Sequence, residues 1–197
     1  VKRGMELSDT DPMSYFVDDE NSVALFLGYA VAAKRLKAQL EDMGIEIDEN
    51  RPLIAYIPCG VGGAPGGIAF GLRLLFGDDA HVFFVELTQA RWMLLGMAGW
   101  LYDGVMKTLL AGEMTVEDYK LYDYMRALLD TEGIFIEPSS CAAFEGPMKL
   151  CSREGEEYIR RHGLEDKMQN AIHIPWATGG RLVPEEIRKE YMSTYLK

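Results

Sequence analysis

The sequence predicts an α/β fold, an open and mostly parallel twisted sheet flanked by helices. Two short and almost entirely apolar segments, Leu53–Ile57 and His81–Val85, predict buried strands. A glycine-rich segment and a helical pattern over Ile68–Leu75 lie between them. A strand, a helix and a second strand in this order form a βαβ unit. Such units build parallel sheets that helices cover on both faces.

The other elements follow from the spacing of apolar residues and from capping signals. Residues 1–17 are polar and weakly patterned, which predicts an extended lead-in to one cofactor-binding domain over residues 18–197. Apolar residues recur at helical spacing from Val23 to Leu40, and Gly44 ends that helix. We also expect helices from Arg91 to about Leu110, from Thr115 to Leu129 and after Pro184, and strands at Ile134–Ile136 and Ile172–Trp176.

The composition of the 197 residues excludes several classes of protein. A formal charge of −11 argues against a nucleic-acid-binding protein, which needs a basic face. No apolar run approaches the ~20 residues that a membrane helix needs. The three cysteines, Cys59, Cys141 and Cys151, are odd in number and widely spaced, which suits a reducing compartment rather than a disulfide scaffold. We therefore expect a cytoplasmic protein that binds neither nucleic acid nor membrane.

Five glycines occur within the eight residues 60–67, between the first strand and the following helix. Backbone amides at such a turn can point inward without a Cβ in the way, and a helix N-terminus attracts phosphate. An ordinary tight turn is the alternative, although it needs only one or two glycines. Pro65 replaces the third glycine of a dinucleotide motif, and no Gly-Lys-Ser/Thr follows Gly67. A smaller phosphate monoester, such as pyridoxal phosphate, fits best.

This segment resembles the bacterial D-serine dehydratases, which are fold type II (tryptophan-synthase-β-like) pyridoxal-phosphate enzymes. The resemblance is carried by Leu53–Leu72 and, in the same order along the chain, by Asp18–Ser22, Leu25–Tyr29, Met93–Gly96, Glu132–Ile134, Glu137–Ser139, Trp176–Gly180 and Val183–Glu186. It extends from about Pro12 to Tyr195. Several strings in one order make it far more specific than a single glycine motif.

The resemblance implies roles for particular residues. The residues that would donate backbone amides to the cofactor phosphate are Gly60, Val61, Gly62, Gly63 and Ala64. Ala64 stands where the family usually has glycine, and its methyl group is expected to tighten the turn. Thr178 would hydrogen-bond the pyridine nitrogen, leaving it largely unprotonated; a plain turn residue is the alternative. Glu86 and the carbonyl of Ala90 would hold K⁺ or Na⁺, the alternative being a solvated carboxylate.

The Schiff-base lysine of the family has no counterpart here. In the family it lies upstream of the glycine-rich segment, in a region that this sequence does not contain, and neither Lys34 nor Lys37 matches its motif. We therefore assign no catalytic residue to this chain and expect it to require the N-terminal part of the enzyme. The family also carries an extra stretch between the positions that match Asp103 and Gly104.

The activity that the resemblance implies is that of a lyase. A D-serine dehydratase converts D-serine to pyruvate and ammonia by β-elimination, and this chain would supply its phosphate-binding part. Two alternatives stay open at this point. One is a related ammonia-lyase that acts on threonine or diaminopropionate, and the other is a non-catalytic fragment that binds a phosphate ligand.

Overall fold

A computed structural model describes residues 2–17, 22–60, 62–89 and 107–194. Its four strands are β1 (Leu53–Pro58), β2 (Ala80–Leu87), β3 (Gly112–Val116) and β4 (Ile172–Pro175). They form one sheet in the order β3-β2-β1-β4, and all three neighbouring pairs are parallel. The predicted class of fold is therefore confirmed.

Helices precede, separate and follow these strands. The α-helices are α1 (Lys2–Thr10), α2 (Val23–Asp42), α3 (Gly63–Phe76), α4 (Lys107–Leu109), α5 (Asp118–Glu132), α6 (Glu145–Leu150), α7 (Arg153–Arg161) and α8 (Glu185–Ser193). Two 3-10 segments, Gly77–Asp79 and Pro138–Phe144, complete the description. Within these ranges, no helix has the length and apolar character that crossing a lipid bilayer requires.

Alternate side chains of the strands face two separate cores. Leu53, Ala55 and Ile57 of β1 pack with α2 and α3 on one face of the sheet. Ile54 and Tyr56 pack on the other face with α5, α6, α7 and the 3-10 segment Pro138–Phe144. Because both faces are covered, the central strands are apolar almost throughout, and this is the pattern that revealed them in the sequence.

Two glycines of α3 bring its backbone against α2. A Cβ at Gly71 would lie 2.6 Å from the carbonyl oxygen of Ala30, and a Cβ at Gly67 would overlap the carbonyl oxygen of Phe26. Neither position can take a side chain unless the helices separate. Gly67 is one of the five glycines of the predicted phosphate loop, and its role in the structure is helix packing.

The strand predicted at Ile134–Ile136 is wrong, and the third strand is β3. Residues 134–136 form an irregular segment in which Ile134 is exposed and Ile136 is buried. Four of the five residues of β3 are only half-buried, so the strand lacks the apolar run that marks a central strand. Thr115, predicted to cap a helix, lies in β3, and α5 begins instead at Asp118.

Two further predictions differ from the structure at the ends of helices. Residues 2–10 form α1 rather than an extended lead-in, and Gly4 of α1 lies against the ring of Phe16. α3 begins at Gly63, five residues before the predicted start, because glycine does not prevent helix formation where packing favours it. Most of the helix predicted from Arg91 to Leu110 lies outside the described residues, which include only α4 and Leu110.

The close contact between α2 and α3 predicts opposite effects for the same substitution at two helical glycines. Gly71→Ala adds a methyl group against backbone and should lower the free energy of unfolding by about 1–3 kcal/mol. Gly28→Ala, on the exposed side of α2 with nothing within 4 Å of the added Cβ, should raise it by up to about 1 kcal/mol. Urea unfolding of the full-length protein measures both. Equal effects at the two positions would contradict this description of the helix contact.

Candidate functional site

The predicted site residues lie where the parallel strands end. Gly60 and Gly62 follow β1, Glu86 is the next-to-last residue of β2, and Thr178 follows β4. β1 and β4 are neighbours in the sheet, yet the chain leaves β1 for α3 on one face and leaves β4 for α8 on the other. Connections that part in this way leave a crevice at the carboxyl edge of the sheet, where α/β proteins commonly bind ligands.

Gly62 makes the turn from β1 into α3. It is the N-cap residue of the helix and has a φ of +96°, in the left-handed region that side chains disfavour. Its carbonyl oxygen accepts a hydrogen bond from the Gly66 N–H at 2.9 Å, which closes the first helical turn. The backbone therefore enters the helix directly at the crevice.

The first amides of α3 can bind an anion. N–H groups at the start of a helix have no acceptor within the helix. The residues concerned are Gly63 and Ala64, and no backbone hydrogen bond from either is found among the described residues. Pro65 follows them and has no N–H to satisfy, as suits the first turn of a helix. The amides of Gly63 and Ala64, at the positive end of a 14-residue helix, fit the oxygens of a phosphate group.

The remaining members of the predicted phosphate loop differ in their surroundings. Gly60 is exposed, and an added Cβ there would meet nothing within 4 Å. Val61 lies outside the described residues. Ala64 occupies the second position of α3, where regular helical backbone accepts a methyl group. The left-handed turn itself is made at Gly62, two residues before Ala64.

Thr178 is paired with a buried serine that the sequence analysis did not assign to the site. The Oγ1 atom of Thr178 lies 3.0 Å from the Oγ atom of Ser140. Ser140 belongs to the 3-10 segment Pro138–Phe144 and is completely buried, whereas Thr178 is exposed at the crevice. The nearest indication in the sequence was the string Glu137–Ser139, which carries part of the family resemblance and ends one residue before Ser140.

The loop that carries Thr178 is held by backbone packing. Gly180 has a φ of +131°, and a Cβ there would lie 2.5 Å from the Cα of Ile136. The Glu137 N–H donates to the carbonyl oxygen of Gly179 at 3.3 Å. The Arg188 guanidinium donates to the carbonyl oxygens of Gly180 and Arg181, at 3.3 and 2.8 Å. The apolar segment Ile134–Ile136, which was predicted to be a strand, therefore supports this loop through Ile136.

Glu86 is a fully buried carboxylate at the end of β2 and pairs in register with Thr115 of β3. Ala90, its predicted companion, lies outside the described residues. The described part of the chain contains no cluster of three or more His, Cys, Asp or Glu side chains that could hold a metal ion. Burial, and then the charge of Glu86, raises the pKa of the neighbouring Cys59 thiol. Cys59 is therefore a protonated, unreactive thiol.

Cavity volume does not locate this site. One cavity of about 510 Å³ lies at the C-terminal ends of α2 and α3, where Lys37, Phe76 and Asp79 line it. Another, of about 480 Å³, lies between β3 and α7. Neither includes the glycine turn or Thr178 among its lining residues. The crevice is recognised instead by strand topology and by the N-terminus of α3 that lies there.

Sequence comparison finds relatives along the whole chain. Residues 1–159 match the family model described as "Pyridoxal-phosphate dependent enzyme". A "Probable D-serine dehydratase" of Fusobacterium nucleatum is 45% identical over 225 residues, which cover 100% of this chain and 51% of that protein. One from Geobacillus stearothermophilus is 44% identical, with 97% and 48% covered. The chain thus spans about half the length of the curated relatives it matches.

Solved structures share the fold at low sequence identity. A diaminopropionate ammonia lyase from Escherichia coli matches with a TM-score of 0.71 and 17% identity, covering 98% of this chain and 55% of its own. A threonine deaminase from Solanum lycopersicum matches with a TM-score of 0.60 and 17% identity, covering 94% and 51%. At such identities these likenesses establish the fold alone.

The strand order, the glycine turn and the family match agree with one another. The matched residues 1–159 include β1, the glycine turn, α3 and β2, which together form the βαβ unit at the crevice. This chain belongs to the family of pyridoxal-phosphate dependent enzymes.

Proposed function

We propose that this chain is the cofactor-binding part of a D-serine dehydratase, a lyase that converts D-serine to pyruvate and ammonia. The observation that carries the proposal is the 45% identity to a "Probable D-serine dehydratase" over the whole chain. Because the chain spans about half of that relative, the complete enzyme includes a part outside it, which supplies the Schiff-base lysine. The three cysteines of this chain are free, which supports a cytoplasmic location.

Two lysines of the described residues, Lys37 and Lys120, are poor candidates for the Schiff base. Lys37 lines the cavity beside Asp79, next to the start of β2, and so lies at the edge of the sheet opposite to the crevice. Lys120 lies in the first turn of α5, near the carboxyl end of β3, but its ammonium group lies 2.8 Å from the buried carboxylate of Glu145. That hydrogen bond raises the pKa of Lys120, and a lysine held protonated is a weak nucleophile.

The two ends of the cofactor would be held from neighbouring strands. The amides of Gly60, Val61, Gly62, Gly63 and Ala64 bind its phosphate at the end of β1. Thr178, after β4, hydrogen-bonds its ring nitrogen. Bound pyridoxal phosphate supplies an electron sink that permits loss of the substrate Cα proton and then of the β-hydroxyl. A neutral hydroxyl at the nitrogen does not hold a proton there as a carboxylate would, which keeps this sink moderate.

A monovalent cation is the second proposed ligand. Glu86 and the carbonyl of Ala90 would bind K⁺ or Na⁺ beside the glycine turn. The support is the position of Glu86, a completely buried carboxylate at the carboxyl edge of the sheet. Oxygen atoms are also the ligands that such hard cations prefer.

The substrate assignment predicts pyruvate formation from D-serine. The full-length protein that contains this chain, loaded with pyridoxal phosphate, should release pyruvate from D-serine faster than it consumes D-threonine or diaminopropionate. A coupled assay with lactate dehydrogenase detects the pyruvate. Preferred turnover of diaminopropionate or threonine would replace D-serine with that substrate. Cofactor binding without turnover of any of them would favour a non-catalytic role.

The glycine turn predicts that Gly62→Ala weakens cofactor binding. A Cβ strains the left-handed backbone at Gly62 and displaces the first amides of α3, so the Kd for pyridoxal phosphate should rise about 10-fold or more. The matched control is Gly133→Ala, which places the same strain (φ +68°) at the end of α5. That variant should lose stability and keep its affinity. Unchanged cofactor absorbance and affinity in Gly62→Ala would remove the phosphate assignment.

The cation proposal predicts that activity depends on K⁺ or Na⁺. The holoenzyme should lose activity when these ions are replaced by a bulky organic cation, and regain it when they are returned. Glu86→Gln removes the charge and should abolish this dependence. Glu117→Gln, an exposed carboxylate after β3, serves as the control and should respond to the ions as the wild type does. A wild-type rate independent of K⁺ and Na⁺ would refute the site.

A further inference from the structure

Ser140 is a buried hydroxyl directly behind Thr178. Its side chain is inaccessible to solvent, and its Oγ atom lies 3.0 Å from the Oγ1 atom of Thr178. We propose that Ser140 is a positioning residue, which orients the Thr178 hydroxyl so that Thr178 offers its proton to the ring nitrogen of bound pyridoxal phosphate. This inference rests on the proposed role of Thr178 and adds to it the direction of the hydrogen bond.

The direction follows from the protons that the two hydroxyls carry. Each hydroxyl has one proton to donate. Among the described residues, the Ser140 Oγ atom forms a hydrogen bond with Thr178 Oγ1 and with no other side chain. If Thr178 donated to Ser140, the Ser140 proton would be buried without an acceptor, which is costly. If Ser140 donates to Thr178 instead, the Ser140 proton has an acceptor. The Thr178 proton can then point toward the exposed crevice.

The backbone keeps the two oxygens at this separation. Ser140 N–H donates to the carbonyl oxygen of Glu137 at 3.0 Å, and Glu137 N–H donates to that of Gly179 at 3.3 Å. Glu137 therefore joins the 3-10 segment that carries Ser140 to the loop that carries Thr178. The charged groups packed against this loop are the Glu137 carboxylate, beside Gly179, and the Arg188 guanidinium. Neither group forms a hydrogen bond with the hydroxyl of Ser140 or of Thr178 in the described part of the chain.

The consequence concerns the protonation of the cofactor. A ring nitrogen that accepts a hydrogen bond from Thr178 uses its lone pair for that bond and is unprotonated. A protonated nitrogen would instead donate to a lone pair of the Thr178 oxygen, and the Thr178 proton would then have neither the nitrogen nor Ser140 as its acceptor, because Ser140 itself donates. Ser140 thus favours the unprotonated nitrogen, beyond what the presence of a threonine alone provides.

The experiment compares Ser140→Ala with Ser139→Ala in the full-length holoenzyme. Ser139 is the matched control, because it is the adjacent serine but its hydroxyl contacts Glu137 and not Thr178. The ¹⁵N resonance of pyridoxal phosphate labelled at the ring nitrogen reports protonation directly. In Ser140→Ala it should move toward the protonated value, and kcat for D-serine should fall about 3- to 10-fold. Ser139→Ala should change neither.

A double variant separates positioning from a merely structural role. In a Thr178→Val background, Ser140→Ala should have no further effect on the resonance, since its partner is gone. Ser140→Cys keeps the shape with a weaker donor, and should give an intermediate resonance even if Ser140→Ala folds poorly. An unchanged resonance in folded Ser140→Ala or Ser140→Cys, or additive effects in the double variant, would overturn the proposal.

The same measurements distinguish this inference from the proposed function. A shifted resonance in Ser140→Ala together with no turnover of D-serine by the wild type would keep the positioning role and reject the substrate. An unchanged resonance in Thr178→Val would show that Thr178 does not contact the nitrogen, and would reject both the role of Thr178 and that of Ser140.

Discussion

The left-handed turn at Gly62 is the constraint on which the site depends. It allows the chain to pass from β1 into α3 within a few residues, so the first amides of the helix lie at the carboxyl edge of the sheet. The rest of the helix must then lie flat against the sheet and against α2. Gly67 and Gly71 make this possible, because they let the two helix backbones touch. One glycine-rich stretch therefore combines the proposed phosphate site at its start with helix packing further on.

The loop that carries Thr178 is held in place by residues that pack against it. The loop after β4 has little regular structure of its own, and Gly179 and Gly180 lie against Ile136 and Glu137. Ser140 and Arg188 complete this support with hydrogen bonds to Thr178 and to the Gly180 carbonyl oxygen. Because β1 and β4 are adjacent, this supported loop and the glycine turn lie at neighbouring strand ends. This places the two proposed cofactor-binding groups at adjacent positions on one edge of the sheet.

The predicted elements are wrong where packing, rather than local composition, decides the structure. Ile134–Ile136 is apolar because it backs a loop, and apolar character alone does not distinguish such a segment from a strand. β3 was not predicted, because its edge position leaves most of its residues half-buried, and their polarity is mixed. The start of α3 was misplaced because glycine-rich sequence reads as loop, whereas contact with α2 stabilises it as helix.

By itself, the sequence determined the class of fold, the two central strands and the turn that would bind phosphate. Each of these leaves a local signature, an apolar run or a dense set of glycines. Its resemblance to a family also led to the proposed role of Thr178. Only the tertiary structure decided which glycines turn the chain and which pack helices, and only it paired Ser140 with Thr178. That pairing joins residues 38 positions apart, and a contact between two hydroxyls leaves no periodic pattern in the chain.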